Sequence, residues 1–457
     1  MKQMTPRNMA EACGGAFSGP EEILDREVTA VTTDSRKATP GCLYIPMKGT
    51  RADGHDFIPN AMASGALLTL TERPLDEKIP CILVKSTAKA IQQIAGFYRR
   101  ALGIPVVGIT GSVGKTSTKE MIASVLSQKY RVLKTAGNFN NNLGLPITIF
   151  RLTEEDQIAV LEMGISHFGE MEDLAETAEP DTMVITNIGE CHLEFLGDRD
   201  GVFRAKTECF RYMKQDGTVI LNGEDDKLNQ VTEVNGRRPV FYGCDPRFRV
   251  YADQLRPLGL QGTACRINLD DESIDVTVKQ PGRHMVMNAL AGAAVGALYG
   301  LTLEEIRKGI ENLTMPGGRL HQIEAKGGYT VIDDCYNANP MSMRASCSIL
   351  SEAGTRKVAI LGDMGELGKE EQSLHRNVGE VVGQMPIDLY VTVGPLSKHL
   401  AEGILRADPE ASVRSFETVG DLLPKLSKLV SKGDTVLVKA SHFMQFDQIV
   451  EALTEED

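Results

Sequence analysis

The part of this sequence best suited to chemistry is a glycine turn that ends in a lysine and a hydroxyl. Gly111-Ser112-Val113-Gly114-Lys115-Thr116, continued by Ser117, follows an apolar run at 104–109 and precedes an amphipathic stretch at 116–129. A glycine-rich turn between a buried strand and a helix lets backbone N–H groups face phosphate oxygens, and the helix N-terminus adds positive potential. In that setting Lys115 reaches the terminal phosphates of a nucleotide and the Thr116 hydroxyl can bind Mg²⁺. The general spacing G-x-x-x-x-G-K-[ST] is not met. Ile109 stands where the first glycine belongs, with Gly108 one place earlier, so the loop has a shorter G-x-x-G-K-T form. A Gly-Lys-Thr turn that binds nothing is the weaker reading of this context.

Three more side chains sit in suggestive places. Glu162 ends the apolar run Ala159-Val160-Leu161-Glu162. Ligands bind beyond the carboxyl ends of strands in open α/β sheets, and a carboxylate there can hold Mg²⁺ beside phosphates. A solvent-facing glutamate at a strand end is an equal reading. His192 follows Thr186-Asn187-Ile188-Gly189, and Lys206 lies in the helical stretch Arg204-Ala205-Lys206. A loop histidine is more often a satisfied polar residue and a helical lysine more often a solvated one, so position alone gives neither a role.

Such residues need strands that end together and helices that begin there. Strand patterns at 104–109, 158–162, 182–187 and 218–222 alternate with helical ones, which predicts a parallel sheet covered on both faces. Residues 247–279 alternate polar with apolar and read as a small antiparallel insert. Helices at 284–299 and 303–312 lead to a hinge, Met315-Pro316-Gly317-Gly318. Strand patterns then return at 330–333, 357–361, 388–393 and 435–438. No G-x-G-x-x-G loop accompanies them, so this Rossmann-like block does not imply a dinucleotide. Before residue 103, short apolar runs at 42–46 and 81–84 and a closing helix at 88–102 predict a small α/β unit. The expected fold class is therefore α/β in three domains: an N-terminal substrate domain (1–103), a central P-loop ATPase-like parallel sheet (104–316) and a C-terminal Rossmann-like domain (317–457).

Bulk properties agree. A chain of 457 residues suits three domains at roughly 150 residues each. A net charge of -13 argues against a nucleic-acid or anionic-membrane partner. The nine cysteines include no C-x-x-C pair and read as reduced thiols. No signal-like N-terminus and no apolar run of the ~20 residues a spanning helix needs are found, so a soluble, cytoplasmic protein is expected.

Taken together, Gly111 to Thr116, Glu162, Thr186-Asn187-Ile188-Gly189 with His192, and Ala205-Lys206 resemble the central ATP-binding domain of the Mur ligases, whose normal phosphate loop is this short form. The resemblance covers almost the whole chain. It implies ATP as substrate and two Mg²⁺ ions, one held by Thr116 and Glu162 and a second with help from His192. Lys206 matches the lysine that family members carry as a carbamate, an anionic group able to serve near a metal. The resemblance further assigns Asn288 to the adenine, Arg319 to the nucleotide, Asp334 to the ribose and Tyr336 to packing on the adenine. Gly317-Gly318-Arg319 departs from the usual Pro-Gly-Arg by one glycine.

Within the family, Gly137-Asn138-Phe139-Asn140-Asn141-Asn142 and Tyr336-Asn337-Ala338-Asn339-Pro340 resemble the members that add D-alanyl-D-alanine to UDP-N-acetylmuramoyl-tripeptide through an acyl-phosphate. Asn138, Asn140, Asn141, Asn337, Asn339 and Ser441 are the implied substrate contacts. Ser35, Arg36, Lys48 and Gly49 resemble UDP-binding elements. Asp53-Gly54-His55 reads equally as one of these or as a structural turn. His442 stands where the family usually has arginine, and His375 fits the family pattern without an evident role. A monomer with no nucleic-acid or membrane partner is expected.

Overall fold

A computed structural model describes residues 1–455 except 51, 77 and 316. Pro316 of the expected hinge thus lies outside the described residues. Three sheets follow one another along the chain, of five, nine and six strands.

The nine-stranded sheet holds Val106–Thr110 third from one edge, flanked by parallel Ile158–Glu162 and Thr182–Ile185. These three strands are buried throughout without alternation because both faces are covered. Val107, Ile109, Val160 and Val184 belong to one core, with the helices Lys115–Leu126 and Arg283–Leu298. Val106, Ala159, Leu161, Met183 and Ile185 belong to the other. The second core receives the helix Thr87–Leu102, whose buried Ala90, Ile91, Ile94, Ala95 and Tyr98 recur at helical spacing. Each larger apolar side chain buried there contributes roughly 1.5–3 kcal/mol. Ser86 caps this helix by accepting from Lys89 N, and Gly103 ends it in the left-handed region at φ 69°. Tyr98 and Arg99 fasten it to the central unit: Tyr98 Oη donates to Leu152 O at 2.7 Å, and Arg99 pairs with Asp181 at 2.9 Å.

The third sheet repeats the design. Val331, Val358, Ile360, Val391, Val436 and Val438 face one core, while Ile332, Ala359, Leu361, Tyr390 and Leu437 face the other. One expectation needs correction. The strands Val250–Pro257, Thr263–Leu269 and Glu272–Val278 are antiparallel to each other as expected, but they are no separate insert. Val250–Pro257 pairs in parallel with Val240–Gly243 and so extends the central sheet. The strand at Thr182–Ile185 also stops before residue 187, because Thr186 and Asn187 turn to grip the phosphate loop. Among the described residues, no helix is long and apolar enough to cross a membrane.

Candidate active site

The phosphate loop leaves the strand Val106–Thr110 and enters the helix Lys115–Leu126. Gly111 sits at φ 151°, and a Cβ there would lie 1.9 Å from Thr186 Oγ1. Gly114 is left-handed at φ 82°. Only glycine allows both the turn and the close approach. The neighbouring strand end then clamps the loop. Asn187 accepts from Val113 N and donates to Val113 O, each at 2.9 Å, and Thr186 Oγ1 donates to the same oxygen at 2.6 Å. Ser112 N donates to Asn187 O, and Ser112 Oγ accepts from Gly189 N. The Lys115 ammonium is folded onto Gly111 O at 2.9 Å.

The loop borders a cleft of about 840 Å³ lined from the central and C-terminal units. Ser112, Val113, Gly114, Lys115, Thr116, Ser117, Asn140, Asn141, Glu162, His192, Asn288, Arg319, Asp334, Tyr336, Asn337 and Asn339 all line it. Sixteen of the expected site residues thus meet in one place. Glu162 is buried, and its Oε1 accepts from Thr116 Oγ1 at 3.3 Å and from Asn140 Nδ2 at 2.9 Å. Its Oε2 has no hydrogen bond. The buried ammonium of Lys119 stands 3.7 Å from that oxygen and 3.1 Å from Glu120. His192 faces the cleft from a left-handed backbone position at φ 52°. Its Nδ1 lies 2.6 Å from Oε2 of Glu366, a residue of the C-terminal unit, without hydrogen-bond alignment. The imidazole beside it holds the Glu366 carboxyl below the usual carboxylate range.

Lys206 does not line the cleft; it is fully buried behind it and its Nζ has no partner. Burial pushes its pKa down to about 8, with a smaller lowering contribution from the nearby Lys115 charge. An orphaned, readily neutralised amine suits carbamate formation, since the neutral form reacts with CO₂. Glu162 Oε2 is a second buried atom without a hydrogen bond, with only the Lys119 ammonium 3.7 Å away, and suits a cation. Among the described residues no three His, Cys, Asp or Glu side chains converge as a metal site.

The C-terminal unit roofs the cleft. Arg319 lies over the Tyr336 ring at 4.1 Å, and His442 stacks against the same ring at 5.9 Å. Asp334 Oδ2 accepts from Lys439 Nζ and from Ser346 Oγ, both at 2.6 Å. Lys439 also donates to Asn337 O, so it orders the whole 334–337 turn; its sequence signal was the family's final-strand Lys-Gly-Ser-Arg, which reads Lys439-Ala440-Ser441-His442 here. Asn288 Oδ1 accepts from Thr118 Oγ1 at 2.9 Å.

The remaining expected residues lie elsewhere. Gly111 and Asn138 do not line the cleft. Neither does Ser441, which is buried, with its Oγ accepting from Gly365 N and donating to Ala338 O. Ser35, Arg36, Lys48 and Gly49 belong to the N-terminal unit, away from the cleft. Arg36 is paired with Asp34, and Lys48 with Glu72. In the Asp53-Gly54-His55 turn, buried His55 contacts Asp53 Oδ1 through Nδ1 and accepts from Glu72 N through Nε2.

A short glycine loop clamped at the carboxyl end of a parallel sheet, under a second α/β unit, defines a nucleotide-binding protein with a cleft between two lobes. Family models agree in order along the chain: Mur ligase family, catalytic domain over 27–115; Mur ligase middle domain over 109–296; and Mur ligase, glutamate ligase domain over 318–442. The chain belongs to the Mur ligase family. It is 38% identical, over 100% of its length and 99% of the relative's, to the UDP-N-acetylmuramoyl-tripeptide--D-alanyl-D-alanine ligase of Bacillus subtilis (strain 168). Its fold is similar to MurF from Acinetobacter baumannii, with TM-score 0.91, 33% identity and 99% of each chain covered. It is also similar to a MurF ligase from Thermotoga maritima in complex with ADP, with TM-score 0.83, 28% identity, and 93% of this chain and 97% of that one covered.

Proposed function

We propose that the chain is an ATP-dependent amide ligase that joins D-alanyl-D-alanine to UDP-N-acetylmuramoyl-tripeptide in the cytoplasmic synthesis of peptidoglycan precursor. The observation that carries this reading is a contact between two loops. Asn140, in the asparagine-rich loop, donates to the carboxylate of Glu162 that Thr116 of the phosphate loop also touches. The residues proposed for the peptide substrate and those proposed for ATP therefore converge on one carboxylate. The full-length similarity to the B. subtilis ligase supports the choice of substrates.

The chemistry follows from what a carboxylate lacks. Its oxygen is a poor leaving group, so the γ-phosphoryl group of ATP passes to the terminal carboxylate of the peptide, giving an acyl-phosphate and ADP. The amine of D-alanyl-D-alanine attacks the acyl carbon, and phosphate departs with one former carboxylate oxygen. The loop N–H groups and Lys115 hold the nucleotide phosphates and offset their charge. Arg319, Asp334, Tyr336 and Asn288 fix the nucleoside end. Asn140, Asn141, Asn337 and Asn339 orient the peptide, and Ser35, Arg36, Lys48 and Gly49 hold the uridine diphosphate from the N-terminal domain. Two Mg²⁺ ions, when bound, would neutralise phosphate charge; Thr116 and Glu162 would hold one, and His192 with a carbamate on Lys206 the other. Closure of the C-terminal domain over the cleft excludes water from the acyl-phosphate.

Phosphate release from ATP, measured with UDP-N-acetylmuramoyl-tripeptide with and without D-alanyl-D-alanine, tests the reading. Release that needs both substrates, with a product heavier by the dipeptide, is the expected result. Release with a single amino acid in place of the dipeptide would reassign the chain to another branch of the family.

A further inference from the structure

The segment that brings Glu366 to His192 is pinned at each residue before its tip. Met364 N donates to His375 Nε2 at 2.9 Å, while the other ring nitrogen of that fully buried histidine meets Glu371 O at 2.6 Å. Gly365 N donates to Ser441 Oγ at 2.9 Å, and Ser441 N donates to Asp363 O. Asp363, itself buried, accepts from Ser397 N and Oγ at 2.7 Å. Burial pushes the pKa of His375 down, so it stays a neutral strut. Glu366 then adopts a left-handed backbone at φ 60°. For a residue with a side chain that conformation is strained and persists where the surroundings impose it. Just beyond, Gly368 lies against Glu194 in the helix that follows His192; a Cβ on Gly368 would be 3.1 Å from Glu194 Cα.

So many buried hydrogen bonds hold a loop whose tip is a half-exposed carboxylate. That tip reaches across the domain boundary to the one cleft histidine assigned a ligand role. Functional imidazoles commonly use one ring nitrogen on the ligand and have the other fixed by a carboxylate. From this geometry we propose that Glu366 is a positioning residue for His192. When the C-terminal domain docks, its carboxylate accepts the Nδ1–H, fixing ring orientation and tautomer and leaving Nε2 free toward the cleft. In the open protein His192 loses this partner, so the site is completed only with the domains closed. His375 and Ser441 serve the reaction through the loop, without touching substrate. The inference rests on the role proposed above for His192.

The test uses Glu366→Ala, Glu366→Gln, His192→Ala and the double variant His192→Ala/Glu366→Ala in the full chain. The two-substrate assay on the unaltered chain comes first, so that failure of the functional reading is seen independently. Expected is a 10- to 100-fold fall in kcat for Glu366→Ala, about the usual cost of losing such a partner. The KM values for ATP and nucleotide-peptide should change less than about threefold, because neither is contacted. Glu366→Gln, which keeps an acceptor oxygen, should recover part of the loss. In the His192→Ala background Glu366→Ala should cost nothing further. Nitrogen-15 imidazole spectra of the closed, substrate-bound chain, which need no turnover, should show the His192 Nδ1–H tautomer in the unaltered chain and a mixture in Glu366→Ala. Additive losses in the double variant, or a His192 signal unmoved by Glu366→Ala, would overturn the proposal.

Discussion

Replacing Lys206 by methionine should stabilise the fold while abolishing turnover. The ammonium is fully buried with no hydrogen-bond partner, and its pKa falls from 10.5 to about 8. At about 1.4 kcal/mol per pH unit, that drop corresponds to roughly 3 kcal/mol by which burial of the charged form weakens the native state. The unfolded chain binds the proton more tightly. The penalty is therefore fully present below pH 8, shrinks as pH rises from about 8 to 10.5, and is gone above that. Methionine has a similar length and no charge to desolvate. Urea unfolding followed by circular dichroism in CO₂-free buffer should place Lys206→Met above the unaltered chain at pH 7 by up to roughly 3 kcal/mol. The gap should close toward pH 10.5. Adding bicarbonate at pH 8 should stabilise the unaltered chain and leave the variant unmoved, because a carbamate replaces the stranded ammonium. Turnover should drop more than substrate binding, and Lys206→Ala, which leaves space, should be partly rescued by a small carboxylic acid. A variant less stable at pH 7, or a gap independent of pH, would refute the reasoning.

Other perturbations separate the parts of the site. Gly111→Ala places a methyl against Thr186 Oγ1 and the backbone at φ 151°; strain of about 1–3 kcal/mol should weaken binding of a fluorescent ATP analogue tenfold or more in an equilibrium titration. Arg36→Ala and Lys48→Ala, both in the N-terminal unit, should raise the KM for the nucleotide-peptide roughly tenfold per lost charged contact and leave the KM for ATP unchanged in steady-state assays. Asn140→Ala frees one bond on Glu162 Oε1 and should raise the KM for the nucleotide-peptide and lower kcat together. An effect on only one of these would separate the asparagine loop from the phosphate site.

The fold was legible where burial is two-sided and the signal continuous, as in 106–110, 158–162 and 435–439. Edge strands were not. Val132–Lys134, His321–Glu324 and Val413–Phe416 are short and half-exposed, so their apolar pattern is too thin to read. The edge position also explains the three antiparallel strands taken for an insert: alternation marks one solvated face, which an edge of a larger sheet shares with a separate hairpin. In the site, Lys115 and Thr116 were legible because a strand end and a helix start locate them, whereas the strand-end position of Glu162 left a solvent-facing glutamate as an equal reading until the family resemblance was added. Lys119 and Glu366 meet Glu162 and His192 across long stretches of chain, and a single sequence does not pair them. Ser441, picked out by its motif, lies off the cleft, with its hydroxyl bonded to Gly365 N and Ala338 O.

The central claim is that amide formation passes through an acyl-phosphate of the peptide carboxylate. UDP-N-acetylmuramoyl-tripeptide labelled with oxygen-18 in that carboxylate, incubated with ATP, D-alanyl-D-alanine and the full chain, tests it most directly by mass analysis of the released phosphate. Each released phosphate should carry one labelled oxygen for each amide formed. Amide formation with unlabelled phosphate would contradict it.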